Sequence, residues 1–191
     1  RATGVYSVGI IRWITGLEVK SVFGITENYF FAEHQHNDIE DFGMLALNME
    51  NDIIATVVGG RIGYTSHPSH GPMQVYLVGK KGLIKIDAYS PRIEIYNNDP
   101  PWEPPDINPV DPMGFWSSTY KESKPKSTWV SLDKHLSNDA SKFIDYIESD
   151  RESEVSAIDG AAQVEVLMAG YVSAAKGEVV ELPLPRGLSQ S

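Results

Sequence analysis

The amino-acid sequence predicts an α+β fold: an open, mostly antiparallel mixed β-sheet with helices on one face and the other face used for oligomerisation. Three observations predict it. Hydrophobic periodicity runs in the order helix, strand, several further strands, two helices and a short terminal strand, which segregates helices from sheet. The best-marked hairpin is apolar on both of its faces. The chain holds helices enough for only one of those faces, so a second copy or a further domain is the physical remedy for the other.

The elements follow in order. Val5, Val8, Ile11 and Ile14 recur at helical spacing beside Trp13, and Gly16 follows as a stop, so a short helix opens the chain. From Glu18 to Thr26, Val19, Ser21, Phe23 and Ile25 alternate with Lys20, Val22, Gly24 and Thr26, the period of a strand. Glu27 to Glu40 is polar and aromatic and reads as a loop ending in an acidic turn. Two apolar runs, Phe42 to Met49 and Ile53 to Val58, flank the turn-forming Glu50-Asn51-Asp52 as a hairpin. Phe42, Met44 and Ala46 fall on one side of it and Leu45, Leu47 and Met49 on the other. Met73 to Val78 and Leu83 to Asp87 pair around Gly79-Lys80-Lys81-Gly82, and Arg92 to Tyr96 adds a strand.

Asn97 to Ser127 holds most of the prolines and is an irregular excursion anchored by Trp102, Trp116 and Tyr120. After a short strand from Thr128 to Leu132, Ala140, Phe143, Ile144 and Ile147 mark an amphipathic helix capped by Asn138 or Asp139. Ser156 and Asp159 form a capping box with the shorter acid, opening a helix that runs to Gly177. Val179 to Leu184 is a closing strand.

Composition excludes several function classes. A length of 191 residues suits a single domain over residues 1–191. Hydrophobic residues at 41% and charged residues at 22% are the balance of a globular protein. Lys and Arg number 16 against 26 Asp and Glu, and the net charge of -10 repels phosphate backbones and anionic lipid, so neither nucleic acid nor membrane is an expected partner. The absence of cysteine removes disulfides, thiolate metal sites and cysteine nucleophiles. With no basic-then-apolar leader, the expected location is cytoplasmic, although a chain that begins at Arg1 reads as truncated and leaves the question of a signal peptide open.

Several motifs together resemble one known family. They are Gly4 with Arg12-Trp13-Ile14-Thr15-Gly16, Val19 to Val22, Asp41-Phe42 with Leu45 to Ala55, Val78 to Asp87, Phe143 to Glu148, Ser156 to Gly160, and Gly177 to Leu184. In this order they resemble the C-terminal domain of the glucose-fructose oxidoreductase, inositol dehydrogenase and rhizopine-catabolism family (Gfo/Idh/MocA) across nearly the whole chain. The resemblance implies a two-domain NAD(P)-dependent oxidoreductase acting on a sugar, sugar derivative or cyclitol. An N-terminal Rossmann domain would hold NAD or NADP, and the present chain would face the substrate and mediate homo-oligomerisation. The chain itself lacks G-x-G-x-x-G, so no cofactor is expected on it and it is not expected to turn over alone.

The resemblance also marks departures. Many members carry an acidic residue and, four positions on, a histidine in the opening helix; Ala2 and Tyr6 stand there, and Gly9 stands where a second acid is common. Tyr6 is then the catalytic candidate, donating or orienting through its phenol, or else an aromatic packed under the sheet. Loss of the acid and histidine equally suits a non-catalytic carbohydrate-binding or scaffolding module, or a parent protein that binds cofactor without turnover.

The substrate-binding candidates are His34, His36, Arg61, Tyr64, His67 and His70. In an extended segment His34 and His36 project to one side, as paired ligands would, but two imidazoles without a third ligand make no metal site and the segment equally reads as a solvated acidic loop. Tyr64, His67 and His70 beside Arg61 suit a carbohydrate cleft, where rings stack on sugar faces and imidazoles bond hydroxyls, or form an ordinary hairpin-end loop. No metal is expected.

Overall fold

The computed structural model describes residues 2–60, 74–87, 92–97, 127–130, 139–153 and 155–185. They fall into two compact units, one of Arg1–Ile62 with Asn138–Ser191 and one of Gly63–Ser137.

In the first unit α1 (Ala2–Thr15) stops at Gly16, whose left-handed backbone at φ +64° lets its N–H reach the Arg12 carbonyl at 2.8 Å. The long helix α4 (Ala157–Lys176) opens on the expected box: the Ser156 hydroxyl accepts from the Asp159 N–H, and the Asp159 carboxylate accepts from the Ser156 N–H. It closes on Gly177 at φ +68°. Gly4 lies against Leu167, Gly9 against Gln163, and Arg12 bonds Asp159 at 3.2 Å, so α1 runs antiparallel along α4.

Beneath the helices is a four-stranded antiparallel sheet in the order β3-β2-β1-β8, from β1 (Val19–Glu27), β2 (Phe42–Met49), β3 (Ile54–Gly60) and β8 (Val180–Glu181). The turn Glu50–Asp52 is a single 3-10 turn with Asn51 and Asp52 left-handed, which closes the hairpin read from sequence. Val22, Leu45, Leu47, Met49 and Val57 from the sheet meet Val8, Val166 and Ala169 from α1 and α4 in the core. Gly24 of β1 and Gly170 of α4 face each other with no side chain between, and the buried Ser173 hydroxyl accepts the Gly24 N–H at 2.9 Å.

The other face of this sheet is set by register. Phe23 pairs with Ala46 and Ala46 with Thr56; Ile25 pairs with Met44 and Met44 with Val58. These side chains point away from α4. Phe23, Met44 and Ala46 are half-buried, whereas Val58 is 61% and Ile54 78% exposed.

The second unit is a meander, β4 (Gln74–Gly79), β5 (Gly82–Asp87), β6 (Arg92–Asn97) and β7 (Ser127–Val130), paired in sequence order. Val75, Leu77, Ile84, Ile86, Ile93 and Ile95 share its apolar face. A further helix, α3 (Asp139–Glu148), belongs to the first unit and leaves Phe143, Ile144 and Ile147 exposed.

The α+β class with open antiparallel sheets holds. Among the described residues the strands form two sheets where the sequence implied one, and every described pair is antiparallel. Alternation specifies strands and hairpin neighbours, and β3 and β4 are each an outer strand of its own sheet. The terminal strand is also shorter than read, Val180–Glu181 alone. Among the described residues no helix is long and apolar enough to cross a membrane.

Candidate functional site

The end of the first unit where β1 finishes and β2 begins is built around a buried carboxylate. Glu27 closes β1, and the Asp41 N–H donates to its carbonyl at 3.0 Å, so the intervening segment leaves and returns at one point. Asp41 is 2% exposed. Its Oδ1 accepts from the Tyr29 N–H at 2.8 Å, and its Oδ2 from the N–H groups of Phe30 and Phe31 at 2.8 and 3.0 Å. Burial opposes the charge, but those donors, with His34 facing the carboxylate, hold the Asp41 carboxyl below its ordinary value of 3.8. The Gln35 side-chain amide donates to the carbonyls of Asn28 and Tyr29, so both edges of the same backbone are held.

With its backbone fixed, the loop presents aromatic rings. Tyr29 is 61% and Phe30 50% exposed; their rings meet edge-on at 6.1 Å, and Tyr29 leans on Phe42 at the same separation. Glu40 turns the opposite way from Asp41 and accepts the Tyr171 hydroxyl, tying the loop to α4. Gly4 packs on Leu167, one turn before Tyr171, so the beginning of α1 lies toward the same end of the unit.

The candidates named from sequence land as follows. Tyr6 is 64% exposed on α1, with Trp13 two turns on at 67%, so it does not pack under the sheet. His34 and His36 sit on a short helix, α2 (Ala32–His36), inside the stretch read as a loop. Two residues apart on a helix project about 200° apart, so the shared side expected of an extended segment is lost. His34 turns inward: its ring packs on Phe31 at 5.0 Å, and its buried Nδ1 has no hydrogen-bond partner among the described residues and lies 3.8 Å from Asp41 Oδ2, too long for a bond. His36 is exposed. Arg61, Tyr64, His67 and His70 lie outside the described residues. Among the described residues no group of three His, Asp or Glu is placed to hold a metal.

Residues 1–85 match the family model of the GFO/IDH/MocA C-terminal domain, from α1 into β5. Over those residues the chain is similar to the GFO/IDH/MocA C-terminal domain. The fold of the chain is also that of part of several solved oxidoreductases. An oxidoreductase from Agrobacterium radiobacter in complex with NAD+, L-tartaric acid and magnesium is 17% identical with a TM-score of 0.63, over 93% of this chain and 47% of that one. The WlbA dehydrogenase from Bordetella pertussis, in complex with NADH and UDP-GlcNAcA, is 18% identical with a TM-score of 0.62, over 96% and 44%. An aldose-aldose oxidoreductase from Caulobacter crescentus complexed with glycerol is 20% identical with a TM-score of 0.62, over 94% and 46%. The chain thus spans less than half the length of each. No curated protein matches it.

The one adjacent glycine pair of the chain does not fit a dinucleotide's pyrophosphate. Gly59 and Gly60 end β3 and are paired with Gly43 and Phe42, and a Cβ on Gly60 would lie 2.2 Å from the Asp41 carbonyl oxygen. That glycine pair is closed against β2 within the strand ladder, which leaves its own backbone no open turn for a pyrophosphate. Sequence reading missed Asp41, Tyr29, Phe30 and Gln35 as the parts that shape this site.

Proposed function

We propose that the chain is the substrate-binding and oligomerisation domain of an NAD(P)-dependent oxidoreductase acting on a sugar, sugar derivative or cyclitol. One observation carries the reading: 93% to 96% of the chain shares its fold with less than half of each of two enzymes that hold NAD+ or NADH. The remaining half of such an enzyme is where a nucleotide-binding Rossmann domain would stand, and NAD or NADP belongs to it. Oxidising a secondary alcohol requires a base for the hydroxyl proton. Tyr6, exposed on α1, is our candidate to orient that hydroxyl or relay its proton, with His34, His36, Arg61, Tyr64, His67 and His70 as candidate sugar contacts.

The test uses the longer protein that contains this chain, assayed for reduction of NAD+ and NADP+ over a panel of sugars and cyclitols. Tyr6→Phe removes one exposed hydroxyl and leaves the fold intact, so kcat is expected to fall about 10²-fold with a smaller change in KM, the scale of a lost proton-transfer group. An unchanged kcat removes Tyr6 from the reaction, and failure to bind either nucleotide removes the oxidoreductase reading.

A non-catalytic carbohydrate-binding or scaffolding role is favoured by one feature, the presence of Ala2, Tyr6 and Gly9 where the resemblance implies an acid, a histidine and a second acid in many members. Gly9 lies inside the contact between helices, where a Cβ would come within 3.0 Å of the Gln163 amide. Nucleotide binding without turnover on any sugar would favour this role.

Oligomerisation is proposed through the sheet face of Phe23, Ile25, Met44, Ile54 and Val58, because an apolar sheet surface that α1 and α4 leave uncovered loses free energy to water. Light scattering is expected to give a dimer or larger assembly for the chain, and Val58→Lys to shift it to monomer without loss of secondary structure. A wild-type monomer at high concentration would dismiss this contact.

A further inference from the structure

We infer that Tyr29 and Phe30 form an L-shaped stacking platform, one ring against the sugar face and the other set edge-on beside it, for a pyranose ring that is uncharged or carries an amino group, and that it rejects sugars bearing carboxylate or phosphate. This rests on the sugar reading proposed above and narrows its ligand class.

The loop is built to keep the rings out. Exposed aromatic rings cost free energy in water, and a mobile loop would fold them inward. Here three N–H groups of residues 29–31 are tied to buried Asp41 and the carbonyls of Asn28 and Tyr29 to Gln35, so the backbone cannot turn. Phe42 behind Tyr29 limits that ring further. The ordering cost of a binding surface is therefore met in the free protein, and Tyr and Phe bring large, stiff contact areas with few rotatable bonds.

The sign of the ligand follows from charge. The loop's own residues, 27–42, include no lysine or arginine, whereas Glu27, Glu33 and Asp38 are exposed among them and Glu40 is half-buried. A carboxylate or phosphate brought to these rings meets like charge with no fixed cation from its own segment. An apolar sugar face meets a ring, and an ammonium group meets both aromatic faces and acid side chains.

The experiment is ligand-observed NMR on the chain with methyl β-glucopyranoside, its 2-amino-2-deoxy analogue, glucuronic acid and glucose 6-phosphate at millimolar concentration, without cofactor. Saturation transfer to the first two, and little or none to the last two, is expected. Tyr29→Ala and Phe30→Ala should each weaken binding about 10-fold, a factor of the size seen when one aromatic contact is truncated, with circular dichroism and thermal midpoint unchanged. Equal binding of the acidic sugars, binding unaffected by either variant, or no binding of any sugar overturns the platform. A change in oligomeric state without a change in sugar binding makes the rings a protein contact and also overturns it. Sugar binding by a longer protein that never reduces NAD+ or NADP+ leaves the platform standing and removes only the oxidoreductase reading. Turnover whose KM is unmoved by Tyr29→Ala and Phe30→Ala does the reverse.

Discussion

Gly24→Ala is expected to lower the stability of the first unit by about 3 kcal/mol, the upper end of the ordinary cost of overpacking. Gly24 lies in the middle of β1 directly under α4, and a Cβ built on it falls 2.3 Å from the carbonyl oxygen of Gly170, 3.0 Å from its carbon and 3.1 Å from its Cα. All of these are backbone atoms, so no rotamer change removes the overlap; the helix must lift from the sheet or the strand must bend. Either movement also pulls the Gly24 N–H from the buried Ser173 hydroxyl, and a buried donor left without a partner carries its own cost. Two other glycines calibrate the result. A Cβ on Gly170 would meet Leu45 Cδ2 at 2.5 Å, the movable end of a side chain, so Gly170→Ala should cost less. Gly59 has nothing within 4 Å of its Cβ position, and Gly59→Ala should stay within about 0.5 kcal/mol of wild type. Denaturant unfolding of the three variants checks the order. Equal midpoints for Gly24→Ala and Gly59→Ala would show that α4 does not press on β1 as described.

That contact illustrates what sequence reading can and cannot reach. Ser156 with Asp159, Gly177, Gly16 and the turn Glu50-Asn51-Asp52 act within a few residues of themselves, and each predicted its helix end or hairpin correctly. The alternation of β2 also predicted which residues share a face, but a bulge between Val19 and Ser21 breaks that of β1, so Val19 and Val22, read onto opposite sides, are both buried in the core. Gly24 and Gly170 carry no such mark, because a close approach between distant segments leaves only two glycines that read as ordinary weak points in a strand and a helix. The short helix Ala32–His36 escaped because it buries no residue and so has no apolar period. The division into two sheets escaped because register between distant strands is set by packing. At the site, Tyr6 and the two histidines were legible as residue types, but the Asp41 clamp was not. Its donors lie ten to twelve residues before it, with no fixed spacing to betray them.

The clamp makes a second strong prediction. Asp41→Ala should leave the N–H groups of Tyr29, Phe30 and Phe31 without their acceptor, and hydrogen exchange at these three amides should accelerate well beyond that of the surrounding strands, with a fall of several degrees in the thermal midpoint. Asp41→Asn is the more selective probe. It keeps the shape and one carbonyl oxygen, but turns an amide group toward donors that need an acceptor, so protection should drop at part of the trio. The pH dependence fixes the sign. The folded carboxyl is held below its ordinary 3.8, so the unfolded chain takes up the proton first as acid is added. The contribution of Asp41 is therefore complete at pH values above the ordinary carboxylate pKa and is lost as pH falls through the depressed folded value. In wild type the denaturation midpoint should decline in that acid window; in Asp41→Asn the decline should be shallower, since the residue no longer titrates. Amides 29–31 that exchange no faster in Asp41→Ala, or an acid decline of undiminished slope in Asp41→Asn, would mean that something other than this carboxylate holds the loop. The rigid presentation of Tyr29 and Phe30 would then lose its physical basis.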